Sequence, residues 1–153
     1  MTLPLGLLCL LLLLTTGAAY TDARREEIPN RLSLTATVIG LIAMGLGWLP
    51  WTALAWAAAT WLLYELDLWL APQSVGWGDV KWAAITMGYL GGAGLLVLAA
   101  GHAGSVLWGT IRWWRSGRRQ PWRTMGAPWA PGAWVGLMLL TSLKVWSTGV
   151  SIH

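Results

Sequence analysis

Apolar runs dominate the chain, and its polar residues fall in short clusters between them. The first run, Leu3 to Tyr20, would reach ~27 Å as a helix, enough to cross a membrane. A secretory signal peptide is the competing reading, because Thr16-Gly17-Ala18-Ala19 is built of small residues. Such a peptide opens on positive charge, and no Lys or Arg precedes Arg24. The run is therefore read as a retained span with its N-terminus outside.

The segment from Asp22 to Arg31 then reads as a loop. Pro29 ends any helix arriving from the first span and biases Ile28 toward an extended backbone. Asn30 is placed to cap the next helix, which runs from about Leu32 to Trp48. Pro50, between Trp48 and Trp51, marks an interfacial turn. A third span covers about Thr52 to Leu70 and is closed by Pro72-Gln73-Ser74. Residues 80–111 are continuously apolar, and a single helix of that length would measure ~48 Å, too long for one crossing. Gly91-Gly92 offers the break. The pattern predicts a short helix from Val80 and a longer one ending near Trp113. A polar loop with Arg112, Arg115, Arg118, Arg119 and Arg123 follows, then a last span from about Trp134 to Val150. Small residues recur at four-residue spacing: Gly88 and Gly92; Gly101, Ser105 and Gly109; Gly132 and Gly136. Such rows let membrane helices approach closely and are read as packing.

Composition agrees with this pattern. The 153 residues are 56% hydrophobic and 10% charged, against ~25% charged in soluble domains. The fold class expected is all-α, a polytopic membrane protein of six transmembrane helices forming one domain over residues 1–153. Little sequence is left for a soluble domain. There are 14 Trp and no Phe; Trp suits membrane interfaces, and nothing in the pattern explains the missing Phe. The lone Cys9 allows no disulfide within the chain and no paired-cysteine metal site.

The net charge of +4 could point to nucleic acid, but the basic residues sit in short loops, so topology is the better reading. With six spans, the loops at 22–31, 72–81 and 112–128 share one side and hold every Lys and Arg except Lys144. The positive-inside rule makes that side cytoplasmic, with both termini outside. A five-span layout would separate the five-arginine loop from the other basic loops and is rejected.

Two aspartates come to the cytoplasmic face in this layout. Asp22 opens Asp22-Ala-Arg-Arg-Glu-Glu-Ile28-Pro29-Asn30, and Asp79 closes Gly76-Trp77-Gly78-Asp79 ahead of Val80-Lys81. Gly76 and Gly78 allow backbone conformations closed to other residues, so a tight glycine turn is expected to aim the Asp79 carboxylate; a plain N-cap is the simpler role. Two carboxylates a few ångströms apart cannot both ionise easily, so the pair holds one proton between them. The ionised member takes a proton from water while the other protonates or hydrogen-bonds a scissile carbonyl. This chemistry calls for no metal or cofactor.

Asp, five residues, Ile-Pro-Asn, two spans and Gly-x-Gly-Asp-Val-Lys together resemble the type IV prepilin peptidase family, the GXGD-type intramembrane aspartic proteases. Pro128-Trp129-Ala130-Pro131 is similar to that family's Pro-Phe-Gly-Pro before the final span, with Trp for Phe and Ala for Gly. The resemblance covers essentially the whole chain. It implies a six-helix membrane fold with Asp22 and Asp79 catalytic. Pro29, Asn30, Gly76, Gly78 and Lys81 match as motif support or substrate contacts. The implied activity is removal of the short basic leader of prepilin-like or preflagellin-like precursors at the cytoplasmic face of the cell membrane. Larger members carry a cytoplasmic segment with paired cysteines and N-methylate the new terminus. Nothing here matches that segment, so methylation is not expected. The implied partners are a precursor protein and the lipid bilayer, with no nucleic acid; the oligomeric state stays open.

Other polar residues carry weaker expectations. Glu65 and Asp67 are rival carboxylates near the end of the third span, read as polar packing because neither follows a glycine turn. Lys81 either tunes the aspartate pair, holds substrate backbone, or snorkels to the interface. Glu26 and Glu27 could meet a basic leader, though a solvated loop is the simpler role. His102, mid-helix in the fifth span, reads as hydrogen-bonded packing rather than a proton relay. Two other function classes remain: a non-catalytic relative that assists pilus assembly, and a small proton-coupled membrane protein. The latter predicts acids deep in several helices, whereas these gather at one face.

Overall fold

The computed structural model describes residues 4–71, 76–117 and 127–147, with side chains up to residue 143. Six α-helices account for nearly all of it: α1 (Leu5–Arg25), α2 (Asn30–Gly45), α3 (Thr52–Leu70), α4 (Trp77–Leu90), α5 (Gly94–Arg115) and α6 (Ala130–Ser147). No strand occurs among the described residues, so the all-α expectation holds. Pro72-Gln73-Ser74, Arg118, Arg119, Arg123 and the C-terminus lie outside the described residues.

The first helix is longer than expected, and Asp22 is on it rather than in a loop. Asp22-Ala23-Arg24-Arg25 contains no helix breaker, so nothing stops the helix at Tyr20. It ends at Glu26, which adopts a left-handed backbone with φ 54° and donates its N–H to the Asp22 carbonyl at 2.8 Å. Arg24 and Arg25 occupy the last turn, where cations offset the negative end of the helix dipole. Pro29 precedes α2 as expected, but Asn30 is the first helical residue and makes no cap bond. The α3 bounds are those predicted. Helix α4 starts three residues before Val80 and α6 four before Trp134. A single 3-10 turn, Gly91–Ala93, separates α4 from α5, with Gly91 at φ 55°.

Helices α5 and α6 approach most closely. A Cβ on Gly104 would lie 2.7 Å from the Gly132 Cα, and one on Gly136 2.7 Å from the Ala100 Cβ. The small-residue rows thus act as packing surfaces. Gly92 is the exception, with open space around it. Helix α6 also packs on α1, α5 on α4, and α4 on both α2 and α3. The centre is filled by Leu8, Leu11, Trp82, Val97 and Leu137, all nearly inaccessible.

Three polar links join one end of the bundle. The Ala130 amide donates to Asp22, Arg112 pairs with Glu26, and Lys81 donates to Asn30. They gather the C-terminal ends of α1 and α5 with the N-terminal ends of α2, α4 and α6. Helices α4 and α5 therefore form a hairpin, as the glycine break suggested. Outward faces carry large apolar side chains, among them Leu13, Leu34, Leu62, Leu107 and Leu139. Two stretches, Leu5–Arg25 and the Trp77–Arg115 hairpin, are long and apolar enough to cross a membrane; Ala130–Leu143 is a shorter apolar helix.

Candidate active site

Asp22 and Asp79 belong to the polar end of the bundle. Asp22, three residues from the end of α1, is 4% exposed. Its Oδ2 accepts the Ala130 N–H at 2.8 Å, and the Trp129 amide also faces the carboxylate. A buried carboxylate without such donors would be costly. The Pro128-Trp129-Ala130-Pro131 stretch therefore holds the first aspartate through its backbone. That role is independent of the Trp and Ala side chains, the two points where the stretch departs from the family pattern.

Asp79 is the third residue of α4, not its cap. Gly76 occupies the cap position with φ −78° and ψ 147°, an extended backbone open to any residue. The Asp79 carboxylate reaches back to the Gly76 N–H, which is half of a capping box. Gly78 is helical, and its value is close approach: a Cβ there would stand 3.1 Å from the Ile28 Cβ and 3.3 Å from the Ile28 nitrogen. The expected glycine turn is thus absent. The bare helix surface at Gly78 instead seats buried Ile28, docking the α1–α2 connection against the start of α4. Through that contact the two aspartate motifs meet, and the negative charge of Asp22 acts on Asp79.

Around the pair, Lys81 Nζ donates to Asn30 Oδ1 at 2.8 Å, joining one residue from each motif. Pro29, exposed, opens α2. Glu26 pairs with Arg112, whereas Glu27 is exposed. Glu65 accepts the Trp61 indole N–H at 3.0 Å. Asp67 lies within electrostatic reach of Tyr64 and His102.

Two features escaped sequence reasoning. The Tyr64 hydroxyl and His102 Nε2 are 2.7 Å apart with their rings stacked, and the Trp129 ring stands edge-on to His102. Asp79 also acts electrostatically on Tyr64. A tyrosine in an apolar helix does need a polar partner, but that rule alone does not say which one. The Ala130 amide was equally hidden, being a backbone group. His102 is hydrogen-bonded and packed, as expected. Among the described residues, no three His, Cys, Asp or Glu side chains gather as a metal site.

Two carboxylates on different helices, each held by backbone N–H groups and close enough to interact, have the makings of an acid–base pair. The family model of the type IV leader peptidases matches residues 7–110, a stretch that includes both aspartate motifs. The chain belongs to the type IV leader peptidase family. No curated protein and no solved structure matches it. The family match ends before Pro128, so the link from Ala130 to Asp22 lies partly beyond it. Leader-peptidase-like function follows from membership, and the family is membrane-associated.

Proposed function

We propose that this leader peptidase is an aspartic endopeptidase whose catalytic pair is Asp22 and Asp79. It removes the basic leader of prepilin-like precursors at the cytoplasmic membrane face. The observation that carries the reading is the convergence of both carboxylates, from α1 and α4, at the polar end of an otherwise apolar bundle.

One carboxylate accepts a proton from water as the water oxygen attacks the scissile carbonyl carbon. The other, protonated, donates to the carbonyl oxygen. Collapse of the tetrahedral intermediate breaks the C–N bond, and the departing amine takes up a proton. Lys81, which donates to Asn30 and follows Asp79 by two residues, would hold substrate backbone in this reading. All six helices cross the bilayer in this reading, which their apolar outer faces support, and Arg24, Arg25, Arg31, Lys81, Arg112 and Arg115 mark the cytoplasmic end. Both termini are then outside.

The test is cleavage by the purified protein in lipid vesicles. The substrate is a precursor with a short Lys/Arg leader ahead of an apolar helix. A single new N-terminus near that junction is expected. An uncut precursor would favour a non-catalytic assembly role.

A further inference from the structure

The Pro128–Trp129 peptide is held at both of its polar atoms. Its N–H faces the Asp22 carboxylate. Its oxygen, the Pro128 carbonyl, accepts the hydroxyl of Ser105 on α5 at 3.2 Å. A trans peptide is planar, so its C=O and N–H point in opposite directions. Fixing the oxygen therefore aims the N–H. The next amide, Ala130, donates to the same carboxylate at 2.8 Å.

One turn earlier on α5, Gly101 lies on the same face as Ser105. A Cβ there would stand 2.5 Å from the Trp129 Nε1, so the indole rests on bare helix backbone. Trp129 is buried, and its indole N–H makes no hydrogen bond among the described residues. Shape, not a polar contact, keeps the ring there. The His102 ring, itself exposed, meets it edge-on. The bonds to Asp22 come from backbone, and α5 determines where that backbone stands.

We propose that Ser105 is a positioning residue for the reaction: through the planar Pro128–Trp129 peptide it aims an N–H at Asp22, while Gly101 leaves the Trp129 ring its seat. This rests on the catalytic role of Asp22 proposed above. Asp22 is buried, so its carboxylate depends on donors that stay in place. Hydrogen bonds in series also polarise one another, so the Ser105 hydroxyl strengthens the N–H on the far side of the peptide. Without that hydroxyl Asp22 stays on α1, but the peptide is free to turn away from it. Ser105 thus does more than let α5 and α6 approach.

The test joins cleavage kinetics in vesicles with hydrogen exchange at the Trp129 and Ala130 amides, read by NMR on the isotope-labelled chain in micelles. The substrate is the same Lys/Arg-leader precursor. Ser105→Ala should lower kcat about twofold to tenfold, the range of one hydrogen bond, and leave KM unchanged. Ser105→Thr keeps the hydroxyl and should restore kcat. Gly101→Ala should lower kcat roughly tenfold or more by displacing the ring. Adding Trp129→Phe withdraws ring atoms from the new methyl, gives up no hydrogen bond, and should recover most of that loss. The Trp129 amide should exchange several-fold faster in Ser105→Ala than in the unmodified protein. Thr16→Val breaks a separate bond between α1 and α6, made to Trp134, and should leave both kcat and that exchange rate unchanged. Unchanged kcat in Ser105→Ala, an equal loss in Ser105→Thr, a loss confined to KM, or unchanged Trp129 exchange would overturn the proposal. If the unmodified protein cleaves nothing, the peptidase reading fails by itself. Faster Trp129 exchange in Ser105→Ala then still supports the aiming of that amide by Ser105, and unchanged exchange overturns it.

Discussion

The Ala130 N–H donates to the Asp22 carboxylate at 2.8 Å across 108 positions of sequence. This bond fixes the end of α1 against the start of α6. Because the donor is backbone, side-chain change at residue 130 is tolerable so long as an amide remains. Ala130→Gly should therefore keep most cleavage activity. Ala130→Pro removes the donor and leaves a buried carboxylate short of a partner, at about 1–3 kcal/mol. Cleavage rates of the two variants, compared at equal amounts of folded protein, check this; equal activity would deny the amide its role.

The two motif glycines should respond differently. Gly78→Ala sets a Cβ 3.1 Å from Ile28 and forces the α1–α2 connection away, an overpacking cost of ~1–3 kcal/mol. Gly76→Ala meets only the end of the Asp79 side chain, at 3.4 Å, and needs no unusual backbone angle. Cleavage should fall roughly tenfold or more with Gly78→Ala and little with Gly76→Ala. The reverse order would restore the glycine-turn explanation.

Lys81 and Asn30 should behave as one unit. Lys81→Met and Asn30→Ala each break the 2.8 Å bond, so the double variant should be little worse than either single one. A double-mutant cycle on cleavage rate reads this as a coupling of ~0.5–3 kcal/mol. Additive losses would mean that the two residues act separately.

Chelation should leave cleavage unchanged, because the aspartate pair supplies both proton acceptor and donor. Activity of the vesicle-reconstituted protein before and after EDTA checks this. Loss with EDTA and recovery with zinc would contradict the aspartic mechanism.

Much of the fold was legible in the sequence. Apolar runs gave the helix order, and Gly91 gave the α4–α5 turn, because these signals are local. The end of α1 is not legible, because Asp22 to Arg25 are polar yet compatible with helix, and polarity alone does not end one. Asn30 has the chemistry of a cap, but Lys81, distant in sequence, claims its oxygen. Both aspartates were visible through their motifs. The backbone donors that hold them, and the Tyr64–His102 pair beside them, depend on tertiary contacts that no local pattern encodes.

The central claim is the pairing of Asp22 and Asp79, and cleavage by their asparagine variants tests it most directly. In Asp22→Asn the amide oxygen still accepts the Ala130 N–H, and Asp79→Asn keeps its size at the start of α4, so both variants should fold. Neither new side chain can pass the proton. Each should abolish cleavage of a prepilin-like precursor, the double variant should be no worse than either, and Glu65→Gln and Asp67→Asn should stay active. Near wild-type cleavage by Asp22→Asn or Asp79→Asn would contradict the account.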